Sequence, residues 1–292
     1  MASNFDWKLF YASRELAQRK GEEIADAYDC VSAPVDVFKI LAAERSLIHA
    51  VGEDFGNAFD GRIRFVGPRF LLCFNTKYDQ WPHTGRHHSK VRFSIAHELG
   101  HFFLDKHRQC LVTNRQPHDS FVEFTAHSLV ESEADHFACG LLMPASLLRK
   151  RVNAVNFPTI SDMMDARRSF DVSLTGMLVR WAQLSDFPCA TIATSGGRIL
   201  FGWVSEAFRN LGCFRVRKSH LPECRYFERF VSANKPVQTY RQGEGSGSTD
   251  YWLDWDDKTV DTAEHYFAIP HSNQIWVHLT VDENELMDDR FD

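Results

Sequence analysis

Residues 92–107, RFSIAHELGHFFLDKH, decide how the rest of this chain is read. Phe93, Ile95, Ala96, Leu99, Phe102 and Phe103 give the run the apolar content of a helix packed into a core. His97 and His101 are four residues apart, so on a helix they share a face and can reach one ion, while Glu98 stands beside it. The pattern is H-E-x-x-H, which on a helix is the floor of a metal site. Five-residue patterns also arise by chance, and the competing reading is a pair of histidines on an ordinary amphipathic helix.

A hydrolytic metal site needs a third protein ligand and an open fourth position. His107 stands where some longer histidine patterns place a third imidazole. Those patterns turn the chain at a glycine, whereas here Leu104 occupies that position, and a helix continuing through it would carry His107 well past His101. Glu131, in ESEADHFACGLLMP (131–144), is the better candidate. It lies four residues before Asp135 on an expected helix, so Glu131 can bind the ion while Asp135 orients a ligating imidazole from behind. Glu133 falls two positions from Glu131 and points elsewhere on that helix, which makes it the weaker ligand.

Working outward, residues 6–28 have a loose helical periodicity, and VDVFKILAAERSLIHAV (35–51) reads as a second helix. RIRFVGPRFLLCFN (62–75) reads as two strands joined at Gly67-Pro68, followed by an irregular polar stretch over 76–90. Helices are expected over 91–106 and 120–143, with a polar connection over 107–119 and a stop at Pro144. Residues 160–185 read as two short helices broken near Asp171. From 189 to 282 the texture favours strands: CATIATSGGRILFGWV has a turn at Ser195-Gly196-Gly197, and HYFAIP and IWVHLTV are apolar runs. QGEGSGST (242–249) has the composition of a flexible loop, and the last residues, DENELMDDRFD, that of a solvated acidic tail.

The chain of 292 residues, 44% hydrophobic and 25% charged, is that of a folded globular protein with room for two domains. A net charge of -6 argues against a protein whose main business is gripping phosphate backbones. The 7 cysteines are scattered with no C-x-x-C pair, the pattern of reduced, buried thiols. No apolar run approaches the ~20 residues that cross a bilayer, and the N-terminal residues lack the apolar stretch of a signal peptide. A cytoplasmic protein is expected.

RFSIAHELGHFFL followed by ESEADHFACGLLMP resembles the paired signatures of the ImmA/IrrE metallopeptidases, most closely over about 62–150. The resemblance implies His97, His101 and Glu131 as zinc ligands, Glu98 as catalytic base and a substrate that is a helix-turn-helix repressor or antitoxin. Cleavage of that substrate would switch on a stress, mobile-element or phage-related response. A His-His-Glu set also accepts manganese or another divalent ion. The resemblance to the radiation- and stress-response regulators of this family further implies an α+β architecture. It comprises a helical zincin-like domain with a small sheet (1–155), a helix-turn-helix-like region (156–187) and a β-rich, GAF-like sensor domain (188–292).

Two rival functions remain at this stage: a regulator that keeps the peptidase fold without cutting, and a direct DNA-binding factor. The basic residues Arg149, Lys150, Arg151, Arg167, Arg168 and Arg180 fit a solvated helix face better than a DNA contact. His136 reads as a surface residue, and Phe93, Phe102, Phe103, Phe121, Phe124 and Phe137 as core. A donor for the developing oxyanion would come from among Tyr78, His87, His88, His118 and His127.

Overall fold

A computed structural model describes residues 7–79, 86–114, 118–120, 129–213, 215–217, 224–255 and 259–282. The chain is α+β and divides into two compact units, residues 1–147 with 167–173, and residues 148–166 with 174–292. The first unit runs through α1 (Trp7–Ala27), α2 (Val37–Ala43), β1 (Ile48–Glu53), β2 (Gly61–Val66) and β3 (Arg69–Asn75). It continues with α3 (Ser89–Phe103), α4 (Asp105–Asn114), β4 (His118–Ser120) and α5 (Leu129–Leu142).

The expected hairpin at 62–75 forms as the antiparallel pair β2 and β3, within a sheet of order β1-β3-β2-β4. Helix α3 packs on β2 and β3, with Ile95, Leu99 and Phe102 buried. Its start is held by Asp79, which accepts from the His88 amide at 2.7 Å, and by His88, whose Nδ1 accepts from the Lys90 amide at 3.2 Å. The loop before β2 is organised by the buried Asn75. Its side-chain amide donates to Gly56 O and Phe59 O, and its oxygen accepts from the Phe55 and Lys77 amides.

Glycines set how closely the helices approach. A Cβ on Gly21 would lie 2.1 Å from Phe137 O, and one on Gly140 would lie 2.0 Å from Gln18 O, so α1 and α5 touch backbone to backbone. Gly100, inside the motif itself, does the same for α3 and α5: its Cβ would lie 3.3 Å from the Ala134 Cα. These approaches bring the face of α3 that carries His97 and His101 against the face of α5 that carries Glu131 and Asp135.

Three expectations in this unit are corrected. The helix read over 35–51 ends at Ala43, and Ile48–Glu53 is a strand paired in parallel with β3. Its helical periodicity loses to sheet pairing, which buries Ile48 and gives the backbone of SLIHAV a partner. The polar segment 107–119 is helical as far as Asn114, because its Leu111 and His107 turn inward. The helix read over 120–143 begins at Leu129 among the described residues, and His118–Ser120 pairs with β2. Phe121, Phe124 and His127 lie outside the described residues.

The chain continues through α6 (Ala145–Val152), α7 (Ile160–Phe170) and α8 (Leu174–Leu184). The break expected near Asp171 is there, with Asp171 in the left-handed region at φ 50. The β-rich region then comprises β5 (Cys189–Ser195), β6 (Arg198–Val204), α9 (Glu206–Asn210), β7 (Arg215–Val216) and α10 (Arg225–Ala233). It ends with β8 (Arg241–Ser248), α11 (Thr249–Trp252), β9 (Leu253–Asp254), β10 (Asp261–Ile269) and β11 (Gln274–Thr280). A five-stranded antiparallel sheet of order β6-β5-β11-β10-β8 forms its frame. Phe208, Phe227, Trp252, Tyr266 and Val277 are central to its core. The helices α9, α10 and α11 were not visible in the strand-like texture.

The segment 242–249, expected to be a flexible loop, is instead mostly strand β8, paired along its length with β10. Its glycines alternate and share one face. A Cβ on Gly243 would lie 3.0 Å from the Phe230 ring, on Gly245 2.7 Å from the Tyr226 Cβ, and on Gly247 3.1 Å from the Cys224 Sγ. The missing side chains make room for α10 to lie against the strand. Composition alone reads such a stretch as a linker because the period of two in its glycines is a packing feature.

The cysteines are free thiols, five of them buried, as expected. Burial pushes Cys189 and Cys213 up to about 11, which suits inert core residues.

Candidate metal centre

Helix α3 presents His97 and His101 with their Nε2 atoms 3.1 Å apart. Helix α5 brings Glu131 to both: its Oε2 lies 3.4 Å from His97 Nε2, and its Oε1 lies 3.8 Å from His101 Nε2. A tetrahedral ion with Zn–N near 2.0–2.1 Å separates its ligand atoms by roughly 3.4 Å, so the three spacings fit one ion. Among the described residues, His97, His101 and Glu131 form the group that could hold a metal. Both histidines are 2% exposed, whereas the Glu131 side chain is 23% exposed, so the carboxylate faces the open side.

The charges agree with the geometry. Burial alone would lower the basicity of His97, but hydrogen bonds to Asp135 and Glu131 and the charges of Asp135 and Glu98 outweigh it and raise its pKa to about 10. The site thus attracts positive charge strongly enough to hold a proton on a fully buried imidazole. A dication offers that charge in its place.

Glu98 is fully buried on the same helix. Space for its carboxylate comes from the first residue of β2: a Cβ on Gly61 would lie 2.6 Å from Glu98 Oε1. Any side chain there would displace the carboxylate, so the strand that supports α3 also sets the position of Glu98.

Behind the histidines, the expected partner is present. Asp135 Oδ1 lies 2.9 Å from His97 Nδ1, the nitrogen pointing away from Glu131. His101 has a different backing, which the sequence reading missed. Helix α3 ends at Phe103 because Leu104 is extended (φ -80, ψ 113), and α4 begins at once with Asp105. The chain turns without the glycine that the sequence argument required, and His107 comes back to place its Nδ1 3.1 Å from His101 Nδ1. It lies on the far side of His101 from Glu131, so it cannot join a ligand set built on the two Nε2 atoms. Glu133, judged to point elsewhere, reaches His107 Nε2 at 2.7 Å. The signal available in the sequence was the E-S-E-A-D spacing, which puts three carboxylates within five residues facing three histidines.

The proposed oxyanion donors are already engaged where described. The Tyr78 hydroxyl donates to Asp60 at 2.9 Å, His87 Nδ1 meets Asp79 at 2.6 Å, and His88 caps α3. For His118 only the backbone is described, and His127 lies outside the described residues. His136 Nδ1 meets Ser132 O within its own helix, as expected of a residue outside the site. Phe102 and Phe137 are core residues; Phe103 stacks at 6.1 Å on Phe137, and Phe93 lies 6.5 Å from the His97 ring.

Residues 86–179 match the family model of the IrrE N-terminal-like domain, Peptidase_M78. The resemblance read from the two paired motifs is thereby borne out over these residues. A solved structure described as a Mycobacterium tuberculosis transcriptional regulator matches 97% of this chain and 85% of its own, with a TM-score of 0.57 and 13% identity. At that identity the likeness is one of fold. No curated protein matches the sequence. Among the described residues, no helix is long and apolar enough to cross a membrane.

Proposed function

We propose that this protein is a divalent-metal endopeptidase, with zinc the expected ion, that cuts one bond in a protein partner, a helix-turn-helix repressor or antitoxin. The observation that carries the reading is the convergence of His97, His101 and Glu131 beside a buried Glu98. A pure binding module has no use for a carboxylate enclosed at that point.

In this reading His97, His101 and Glu131 hold the ion, and Asp135 fixes the His97 ring by accepting from its Nδ1. A divalent ion held by these three side chains would supply Lewis acidity toward an attacking water and the scissile carbonyl. Glu98 takes the proton of that water and returns it to the leaving amine. Gly61 keeps Glu98 in place through the transfer, and burial keeps competing water from its carboxylate. The β-rich region serves as the regulatory part, and the protein works in the cytoplasm.

A second reading, a regulator that does not cut, is favoured by the description of the structural neighbour as a transcriptional regulator. Direct reading of DNA by α8 is disfavoured, because this helix is buried from Leu174 to Ala182 and has no face to offer a groove. The two readings separate in one experiment. Elemental analysis should find about one zinc per wild-type chain and little in Glu131→Ala. Glu98→Gln should keep the metal but no longer cleave a co-expressed repressor from the same genome. Equal cleavage by wild type and Glu98→Gln, or none by either across the repressors encoded nearby, favours the regulator.

A further inference from the structure

The four-stranded sheet of the first unit ends on β1, and that edge is open. The Phe70 amide donates to Leu47 O at 2.8 Å and the Thr76 amide to Glu53 O at 2.9 Å, so the odd-numbered residues of β1 turn their backbone groups toward β3. In a parallel pair the residues between them turn theirs the other way, so Ile48, Ala50 and Gly52 address the free edge. Ile48 is satisfied within the chain: its amide donates to Glu44 O at 2.8 Å, and its carbonyl accepts from Arg69 Nη2 at 3.5 Å. Ala50 and Gly52 are exposed, and among the described residues no group meets their N–H or C=O.

Beside this edge lies a groove of about 340 Å³, walled by α2. Ala50 and Gly52 share a sheet face with the buried Ile48, and with Leu72 and Phe74 opposite them on β3. Because Gly52 has no side chain, the Phe74 ring can lie over it: a Cβ there would sit 2.3 Å from that ring. Phe74 floors one end of the groove, and Phe38 of α2 stands edge-on to it at 5.8 Å. The end near Ile48 is lined by Arg45 and Arg69. No carboxylate lines the groove, and among the described residues none forms an ion pair with either guanidinium.

We propose that β1 is a docking edge for an extended acidic segment of a partner protein, which joins the sheet as a further strand. The backbone groups of Ala50 and Gly52 supply the ladder, and side chains two positions apart on the incoming segment enter the groove. An apolar one lies against Phe74 and Phe38, and a carboxylate meets Arg45. Antiparallel pairing, the more stable per residue, sets the order. The segment then passes Gly52 before Ala50, so it reads apolar-x-acidic from its N-terminal side. The two guanidiniums favour an acidic partner and repel a basic one. β3 separates β1 from β2, whose Gly61 abuts Glu98, so a segment held on β1 sits beside the metal centre and leaves it free. Docking here needs no metal.

The test uses the full-length protein, isotope-labelled for amide NMR, and the end-blocked peptide TTLTETT, with TTLTKTT as its charge-reversed control. TTLTETT is expected to shift the Ala50 and Gly52 amides saturably and to slow their exchange with water, with a Kd of roughly 0.1–1 mM for so short a segment that must order on binding. Arg45→Glu changes an exposed side chain, and Ala50→Pro removes an outward N–H at an edge position where proline is tolerated. Each should bind TTLTETT about tenfold more weakly or worse, with a thermal midpoint near that of wild type, and TTLTKTT should bind wild type as poorly. If Ala50→Pro fails to fold, Arg45→Glu and the wild-type shifts decide the matter. Absence of saturable shifts at Ala50 and Gly52, or equal binding of the two peptides, overturns the proposal. So does a wild-type dimer in sedimentation that Arg45→Glu or Ala50→Pro renders monomeric, since the edge would then be occupied by a second copy of the chain.

Discussion

His278 offers a quantitative test of the β-rich region that needs neither metal nor substrate. It is fully buried on β11, opposite Thr191 of β5 and His265 of β10. Thr191 donates its hydroxyl proton to Leu178 O at 2.9 Å, so its contact at 2.8 Å with His278 Nδ1 must be a bond donated by the imidazole. The other nitrogen, Nε2, is buried with no hydrogen-bond partner among the described residues. Burial, and then the charge of His265, push His278 down from 6.5 to about 3. Protonating Nε2 would place a charge where no described residue accepts it.

The sign follows from proton binding. Between pH 6.5 and about 3 the unfolded chain carries a proton at this residue and the folded chain does not, so acid favours unfolding throughout that window. Between pH 7 and pH 5 the loss amounts to about 2 kcal/mol, at 1.36 kcal/mol per unit. His278→Asn keeps a donor for Thr191 and removes the titration. Urea unfolding can be followed by tryptophan fluorescence, since Trp181, Trp203, Trp252, Trp255 and Trp276, five of the 7 tryptophans, lie in the second unit. The variant should lose about 2 kcal/mol less than wild type between pH 7 and pH 5, with His265 and the other histidines contributing equally to both. Equal losses in the two proteins would refute the assignment of a neutral imidazole whose Nε2 has no partner among the described residues.

Two further outcomes are expected. Because His97 in the metal-free protein is held near 10, an ion entering the site displaces a proton. Metal affinity should rise about tenfold per pH unit between roughly pH 7 and 9, and calorimetry in two buffers of different ionisation enthalpy should count about one proton released; none released would contradict the charge balance described for the site. Gly140→Ala would put a Cβ 2.0 Å from Gln18 O, a backbone atom that can yield only if α1 moves. It should destabilise the first unit by about 1–3 kcal/mol or more and weaken metal binding through α5, whereas Gly67→Ala, with open space around it, should do neither.

What could be read from the sequence divides along a physical line. The H-E-x-x-H helix and the carboxylates of α5 were legible because a helix converts fixed spacing into a shared face, so the residues near each other in the site are four apart in the chain. The hairpin at 62–75 and the turns at 195–197 and 171 were legible for a similar reason, since short turns constrain residue type locally. What was missed depends on a partner distant in sequence. SLIHAV looks helical until β3 offers it a parallel edge, and QGEGSGS looks loose until α10 needs a smooth surface beneath it.

His107 is the most instructive case. Sequence reasoning set it aside on the ground that only a glycine would turn the chain after His101. An extended Leu104 turns it equally well, and α4 then has its own reasons to pack, with Leu111 buried and Arg108 over Phe102. What keeps His107 out of the ligand set is the nitrogen it meets, Nδ1 of His101, whereas His97 and His101 approach each other through Nε2. Each histidine has two nitrogens pointing in opposite directions, and in this fold Nε2 faces the carboxylate of Glu131 while Nδ1 faces the support. A histidine that meets Nδ1 of His101 therefore backs that ring from behind without joining the ligand set. Spacing along the chain cannot express that distinction, because it fixes which residues meet but not which atom of an imidazole does the meeting.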